Sequence, residues 1–143
     1  MGKAKILVDS CFWIAFYTPE EVINHSKALN LIDCLENNEV IIPWPTLYEF
    51  VNTRLSRRKE SLTSFQQFLL KPNIYKVSDE EYKQKALQNI FELNISRHST
   101  ISLVDEVLRL MILDKSLSID FLVTFNKSDF EYPCQISNVI ILE

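Results

Sequence analysis

Lys-Ile-Leu-Val-Asp occupies residues 5–9. Three consecutive large apolar residues between a lysine and an aspartate fit a short strand buried on both faces, the kind found inside parallel sheets. Further short apolar runs stand at 40–42, 74–77, 121–125 and 139–142, with 74–77 expected as an edge strand. Helical patterns fill the intervals. A helix starts within 12–17. Thr18-Pro19-Glu20-Glu21 has the form of a capping box with proline at the first helical position, followed by Ala28, Leu31, Ile32 and Leu35 at helical spacing. Pro43 and Pro45 end the second strand, and Thr46 is placed to cap a helix through Leu47, Phe50, Val51 and Leu55. Another helix is expected over 61–70. Ser78-Asp79-Glu80-Glu81 is a second capping box ahead of Tyr82, Ala86, Ile90 and Leu93, and Ser102 opens a helix bearing Val104, Val107, Leu108 and Met111. Strands alternating with helices predict an α/β domain, a mainly parallel sheet covered by helices on both faces.

The chain has 143 residues, 47% of them hydrophobic, which fits a single domain over 1–143 able to bury a core. A formal net charge of −4 argues against nucleic-acid binding through a global positive field and leaves room for a local basic patch. Cys11, Cys34 and Cys134 are odd in number and contain no C-x-x-C pair, so reduced thiols in a cytoplasm are the simplest expectation. Lys3 and Lys5 precede an apolar stretch as in a signal peptide, but Asp9 interrupts it and no small-residue cleavage site follows. No apolar run approaches the ~18 residues of a membrane span. Gly2 is the one glycine, so no glycine-rich phosphate loop can exist. Phosphate chemistry here would rest on side chains or metal ions.

Sheet geometry then gathers carboxylates. Parallel strands send their carboxyl ends to one edge, where ligand sites of open α/β sheets lie. Asp9 ends the first strand. Glu49 falls in the first turn of the helix after 40–42, and that helix begins at the same edge. Asp105 falls in the first turn of the helix leading to 121–125, and Asp129 follows that strand within a few residues. Carboxylates a few ångströms apart protonate or recruit a cation, and all-oxygen ligands suit Mg2+ or Mn2+. Ordinary uses compete for each residue. Asp9 can be a plain strand-end polar residue. Thr46-x-x-Glu49 and Ser102-x-x-Asp105 fit capping boxes, Asp105 can pair with Arg109 at helical spacing, and Asp129 can be a turn residue.

At these residues the sequence resembles a PIN domain, most of all the toxin component of VapBC-type toxin–antitoxin modules. The resembling stretches are ILVDSCFWIAFY (6–17), PTLYEF (45–50), SLVDEVLRLM (102–111) and LVTFNKSDF (122–130). The resemblance implies a PIN-like three-layer fold and Mg2+- or Mn2+-dependent hydrolysis of RNA. It also implies homodimerisation and neutralisation by a cognate antitoxin. It carries the family's acidic positions onto Asp9, Glu49 and Asp105. The pattern often has an aspartate where this chain has Asn126, whose amide oxygen can coordinate but brings no charge. Asp129 is the remaining carboxylate there, as ligand or as support through water. Ser10 and Thr124 are hydroxyl supports.

Arg54, Arg57, Arg58 and Lys59 form the dense basic cluster that could hold RNA phosphates beside such a site, or could be a solvated helix end. Trp13, Phe16 and Tyr17 are expected in the core or a dimer interface, with base stacking the lesser alternative. A haloacid-dehalogenase-like phosphatase would want an aspartate at Cys11, and Asp33 and Asp105 do not fall where a receiver domain needs them. The remaining rival is a PIN-like protein that binds RNA or a partner without cutting.

Overall fold

Residues Lys5–Val8 form β1, the central strand of the computed structural model, which describes residues 2–52 and 54–143 with the Arg54 side chain left out. β2 (Glu39–Pro43), β3 (Ile74–Val77), β4 (Phe121–Val123) and β5 (Ile140–Leu142) complete a five-stranded sheet in the order β3-β2-β1-β4-β5. Every pairing is parallel, with Ile6 opposite both Val40 and Phe121. Between the strands run α1 (Ser10–Phe16), α2 (Val22–Glu36), α3 (Trp44–Val51), α4 (Lys59–Leu69), α5 (Lys83–Phe91), α6 (Leu103–Leu113) and α7 (Glu131–Ser137). Among the described residues no helix is long and apolar enough to cross a membrane.

Strand alternation sorts the core into two layers. Ile6 and Val8 of β1, Val40 and Ile42 of β2, and Val123 of β4 point to one face. There they pack against Phe12, Trp13, Ala28, Leu35, Phe50, Phe65 and Phe68 of α1–α4. Leu7, Ile41 and Leu122 point to the other, against Leu108 and Ile112 of α6, Phe130, and Cys134 of α7. The first layer is aromatic: Trp13 meets Phe12, Phe65 and Phe68 edge-on at 4.9–5.2 Å between ring centroids, a geometry that aromatic quadrupoles favour.

Three expected helix starts are placed differently, each because the capping side chain is used elsewhere. The Thr18 hydroxyl donates backward to the Ile14 carbonyl (2.6 Å), satisfying a carbonyl at the end of α1, and the Glu21 N–H closes a turn on the Thr18 carbonyl (3.0 Å). α2 therefore begins at Val22 with no side-chain cap. Thr46 lies inside α3, which starts directly after β2 with Pro43 at its N-cap, and its hydroxyl donates to the Pro43 carbonyl (2.8 Å). Pro45 falls in the first turn, where its missing N–H costs nothing. Ser78 accepts from the Glu80 N–H (3.2 Å) in a turn, and α5 waits until Lys83. Ser102 caps α6 as expected, its hydroxyl accepting from the Asp105 N–H (3.1 Å).

Candidate active site

Asp9 follows β1 at the carboxyl edge, where the chain has built β2 and β3 on one side of β1 and β4 and β5 on the other. That reversal opens the crevice where α/β sheets bind ligands. Rather than extending the strand, Asp9 is the N-cap of α1. Its Oδ1 accepts from the Ser10 N–H (2.7 Å), and its Oδ2 accepts from the Thr124 hydroxyl (3.0 Å). The residue is 2% exposed. Burial pushes its carboxyl above the usual range, repulsion from Asp105 adds to this, and the hydrogen bonds from Thr124, Ser10 and Cys11 oppose it.

Glu49 arrives from α3. Because that helix starts at Trp44, Glu49 stands in its second turn, and its carboxyl serves no capping box. Its Oε1 accepts from the Ser10 hydroxyl at 2.7 Å, so Ser10 spans two candidate acids, with its N–H on Asp9 and its hydroxyl on Glu49. Desolvation of the carboxyl raises Glu49, the Ser10 bond lowers it, and Asp9 raises it further. Asp105, third residue of α6, is raised first by burial and then by repulsion from Asp129 and Glu49, against lowering contributions from Ser102 and Arg109. Asp129 is half-buried at the end of a short 3-10 turn, Lys127–Asp129. Repulsion thus links Asp9 to Asp105 and Glu49, and Asp105 to Glu49 and Asp129. All four carboxylates share one electrostatic neighbourhood although they come from distant parts of the chain.

Asn126 is exposed, and its N–H donates to the Thr124 hydroxyl (3.0 Å). Thr124 therefore accepts from the β4 turn while donating to Asp9. The helical alternative for Asp105 is not realised: Arg109 pairs with Glu106 (3.1 Å) and donates to the Asp129 carbonyl (3.0 Å). The sequence pattern gave Cys11 no part in this site. Its thiol donates to Asp9 Oδ2 (3.5 Å) and accepts from the Phe125 N–H (3.3 Å), and burial pushes it up to about 12, so it stays protonated. Its place two residues after Asp9 was the available signal.

No family model matches the chain, and no curated protein matches it by sequence. Solved structures do match in shape. VapC20 of Mycobacterium tuberculosis, a sarcin-ricin loop cleaving toxin, aligns over 89% of this chain and 94% of its own with a TM-score of 0.69 and 16% identity. A chain of VapBC2 from Rickettsia felis, solved bound to a DNA fragment from their promoter, aligns over 96% of both chains with a TM-score of 0.60 and 13% identity. The protein has the PIN-like fold.

Within that fold, the chemistry of the donor set fits a hard divalent cation. The donors are carboxylate oxygens and the Asn126 amide, and the raised acids of Asp9, Glu49 and Asp105 would each gain from a positive charge nearby. Among the described residues no group of three or more His, Cys, Asp or Glu side chains is placed so that it could hold a metal ion, so the fit is one of donor chemistry.

The basic cluster lies between α3 and α4. Arg57 ends a 3-10 turn, Arg58 is the N-cap of α4 and Lys59 its first residue; the Arg54 side chain lies outside the described structure. Cations at a helix start gain nothing from the helix dipole, so the helix-end explanation does not cover Arg58 and Lys59. Arg58 pairs with Glu20 at 3.5 Å on the surface. Trp13 is fully buried and Tyr17 nearly so, which puts both in the core and out of reach of a base.

Proposed function

We propose that this chain is a Mg2+- or Mn2+-dependent endoribonuclease and the toxin of a toxin–antitoxin pair. The observation that carries the reading is the convergence of Asp9, Glu49 and Asp105, whose carboxyls are raised by burial and by one another, with Asp129 repelling Asp105 at the same carboxyl edge of the sheet. The shape shared with a sarcin-ricin loop cleaving toxin and with a VapBC2 chain supports it.

Asp9, Asp105 and Asp129, with the Asn126 amide oxygen, would hold the ion. When bound, such an ion supplies the charge that polarises a phosphodiester and eases deprotonation of water. The chain's own residues do the rest. Thr124 and Ser10 orient Asp9 through both carboxylate oxygens. Ser10 fixes Oε1 of Glu49. Glu49, its carboxyl raised by burial, takes at Oε2 a proton from the water whose oxygen bonds to phosphorus; the bond from phosphorus to the ribose oxygen breaks, and that oxygen leaves as a hydroxyl with a proton from solvent water. Arg57, Arg58 and Lys59, with Arg54 of the same run, hold flanking phosphates of the RNA. The partners expected with this reading are a cognate antitoxin and a second copy of the chain.

The test is cleavage of an RNA panel with and without Mn2+ by the wild type and by Asp9→Asn. Equal cleavage by the two removes the reading. The uncharged, exposed Asn126 favours one alternative, an RNA- or partner-binding protein of the same fold; RNA binding by the wild type with no cleavage at any Mn2+ concentration would establish it.

A further inference from the structure

The interactions of Arg109 reach beyond its own helix. Glu106, next to Asp105 on α6, is 4% exposed, and a carboxylate so buried is costly unless paired. Its Oε2 accepts from the Asn89 side chain of α5 (2.8 Å), and its Oε1 forms an ion pair with Nε of Arg109 at 3.1 Å without hydrogen-bond geometry. The same guanidinium donates an N–H to the backbone carbonyl of Asp129, twenty residues on, at 3.0 Å. A continuous chain of polar contacts thus runs from α5 through α6 into the turn after β4.

A buried ion pair of this kind contributes little net stability against an apolar pair of the same size, so stability alone does not account for it. What the pair achieves is placement: the Glu106 charge keeps the guanidinium beside α6, and one nitrogen of its planar fork donates to the Asp129 carbonyl. The turn is also closed by its own bonds, Asp129 N–H to the Asn126 carbonyl (3.1 Å) and Phe130 N–H to the Lys127 carbonyl (3.0 Å), and its start is held by the Asn126 N–H on the Thr124 hydroxyl. Arg109 is therefore a side-chain tie between that turn and the helix carrying Asp105.

We propose that Arg109 is a positioning residue that sets the 126–129 turn against Asp105, so that Asn126, Asp129 and Asp105 present their oxygens to one divalent cation. The proposal rests on the metal-site reading above. Arg109→Met alone would strand the buried Glu106 carboxylate and can fail to fold, so the decisive variant is Glu106→Leu/Arg109→Met, which replaces the pair with apolar bulk. Arg109→Lys is the conservative companion.

Two measurements do not depend on catalysis: amide hydrogen exchange across 126–130, and Mn2+ affinity by calorimetry with the metal alone. For the double variant the expected result is a cooperative melt, roughly tenfold faster exchange at Asp129 and Phe130, and Mn2+ affinity weaker by about tenfold, the usual cost of losing an outer-shell contact. Arg109→Lys should restore neither. Where RNA is cleaved, kcat should fall with KM within about twofold. Unchanged exchange overturns the proposal. So does faster exchange with unchanged Mn2+ affinity, since the tie would then be structural only. A wild type that binds Mn2+ but never cleaves RNA rejects the nuclease reading while leaving these two measurements to decide the role of Arg109; one that binds no Mn2+ overturns both.

Discussion

A carboxyl as buried as that of Asp9 must be compensated or take a proton. Its folded-state pKa lies above 3.8, so the folded chain binds the proton more tightly than the unfolded one. The stability this gives is complete below 3.8 and is lost as pH rises through the raised value. Glu49 and Asp105 shift the same way and add to the slope. In metal-free buffer, Asp9→Asn should therefore melt at or above the wild type at pH 7, the gap closing toward pH 4, while metal-dependent cleavage falls roughly 100-fold or more. Thermal melts over pH 4–7 beside a cleavage assay check both. A lower Tm for Asp9→Asn at pH 7 would mean the carboxylate is compensated within the chain. Thr124→Val removes the donor to Asp9 Oδ2 and should cost about tenfold in activity, with Thr124→Ser close to the wild type. The shared edge of the four acids could be read from the sequence, because strand ends and helix starts meet there, although Glu49 falls in the second turn of its helix and not in the first. Their supports were less so. Asp9 and Thr124 are 115 positions apart, and no local pattern says that the two meet. The contacts of Cys11 and Arg109 are equally non-local.

At the level of elements, the strands could be read because each is a short apolar run with little competing use. Helix starts could not be read as well, because Ser and Thr hydroxyls have several local partners of similar energy. Thr18, Thr46 and Ser78 each bond outside a capping box, whereas Ser102 caps α6 as its sequence suggests. The distinction is measurable. Ser102→Ala should cost about 1 kcal/mol, the usual loss of an N-cap. Glu21→Ala, which would break the box at Thr18 if one existed, should stay within about 0.5 kcal/mol. Urea denaturation of the two variants decides between the cap assignments, and a Glu21→Ala loss equal to that of Ser102→Ala would contradict the turn at Thr18. The Ser102 cap also bears on the site, because it fixes the first turn from which Asp105 projects.

Taken whole, the molecule places its stability and its chemistry in separate regions. The aromatic layer under α1–α4 and the aliphatic layer under α6 and α7 are buried and apolar, while the carboxyl edge collects acids that repel one another. In the function proposed above, an edge of that kind would make the fold responsive to cations. A ligand bound only by the folded state stabilises it by RT ln(1 + [L]/Kd), about 2.7 kcal/mol at a hundredfold excess over Kd. For a domain of this length that corresponds to a Tm rise on the order of 5–10 °C. Mn2+ at that excess should produce such a rise in the wild type at pH 7 and little or none in Asp9→Asn. Because the acids must lose their protons to take the ion, and their pKa values are raised, the rise should shrink as pH is lowered toward the ordinary carboxylate range. Differential scanning calorimetry at two pH values and two Mn2+ concentrations separates this from a general salt effect, which would raise both proteins alike. Equal shifts in the wild type and Asp9→Asn would place the cation elsewhere on the molecule and leave the acidic edge without the role assigned to it.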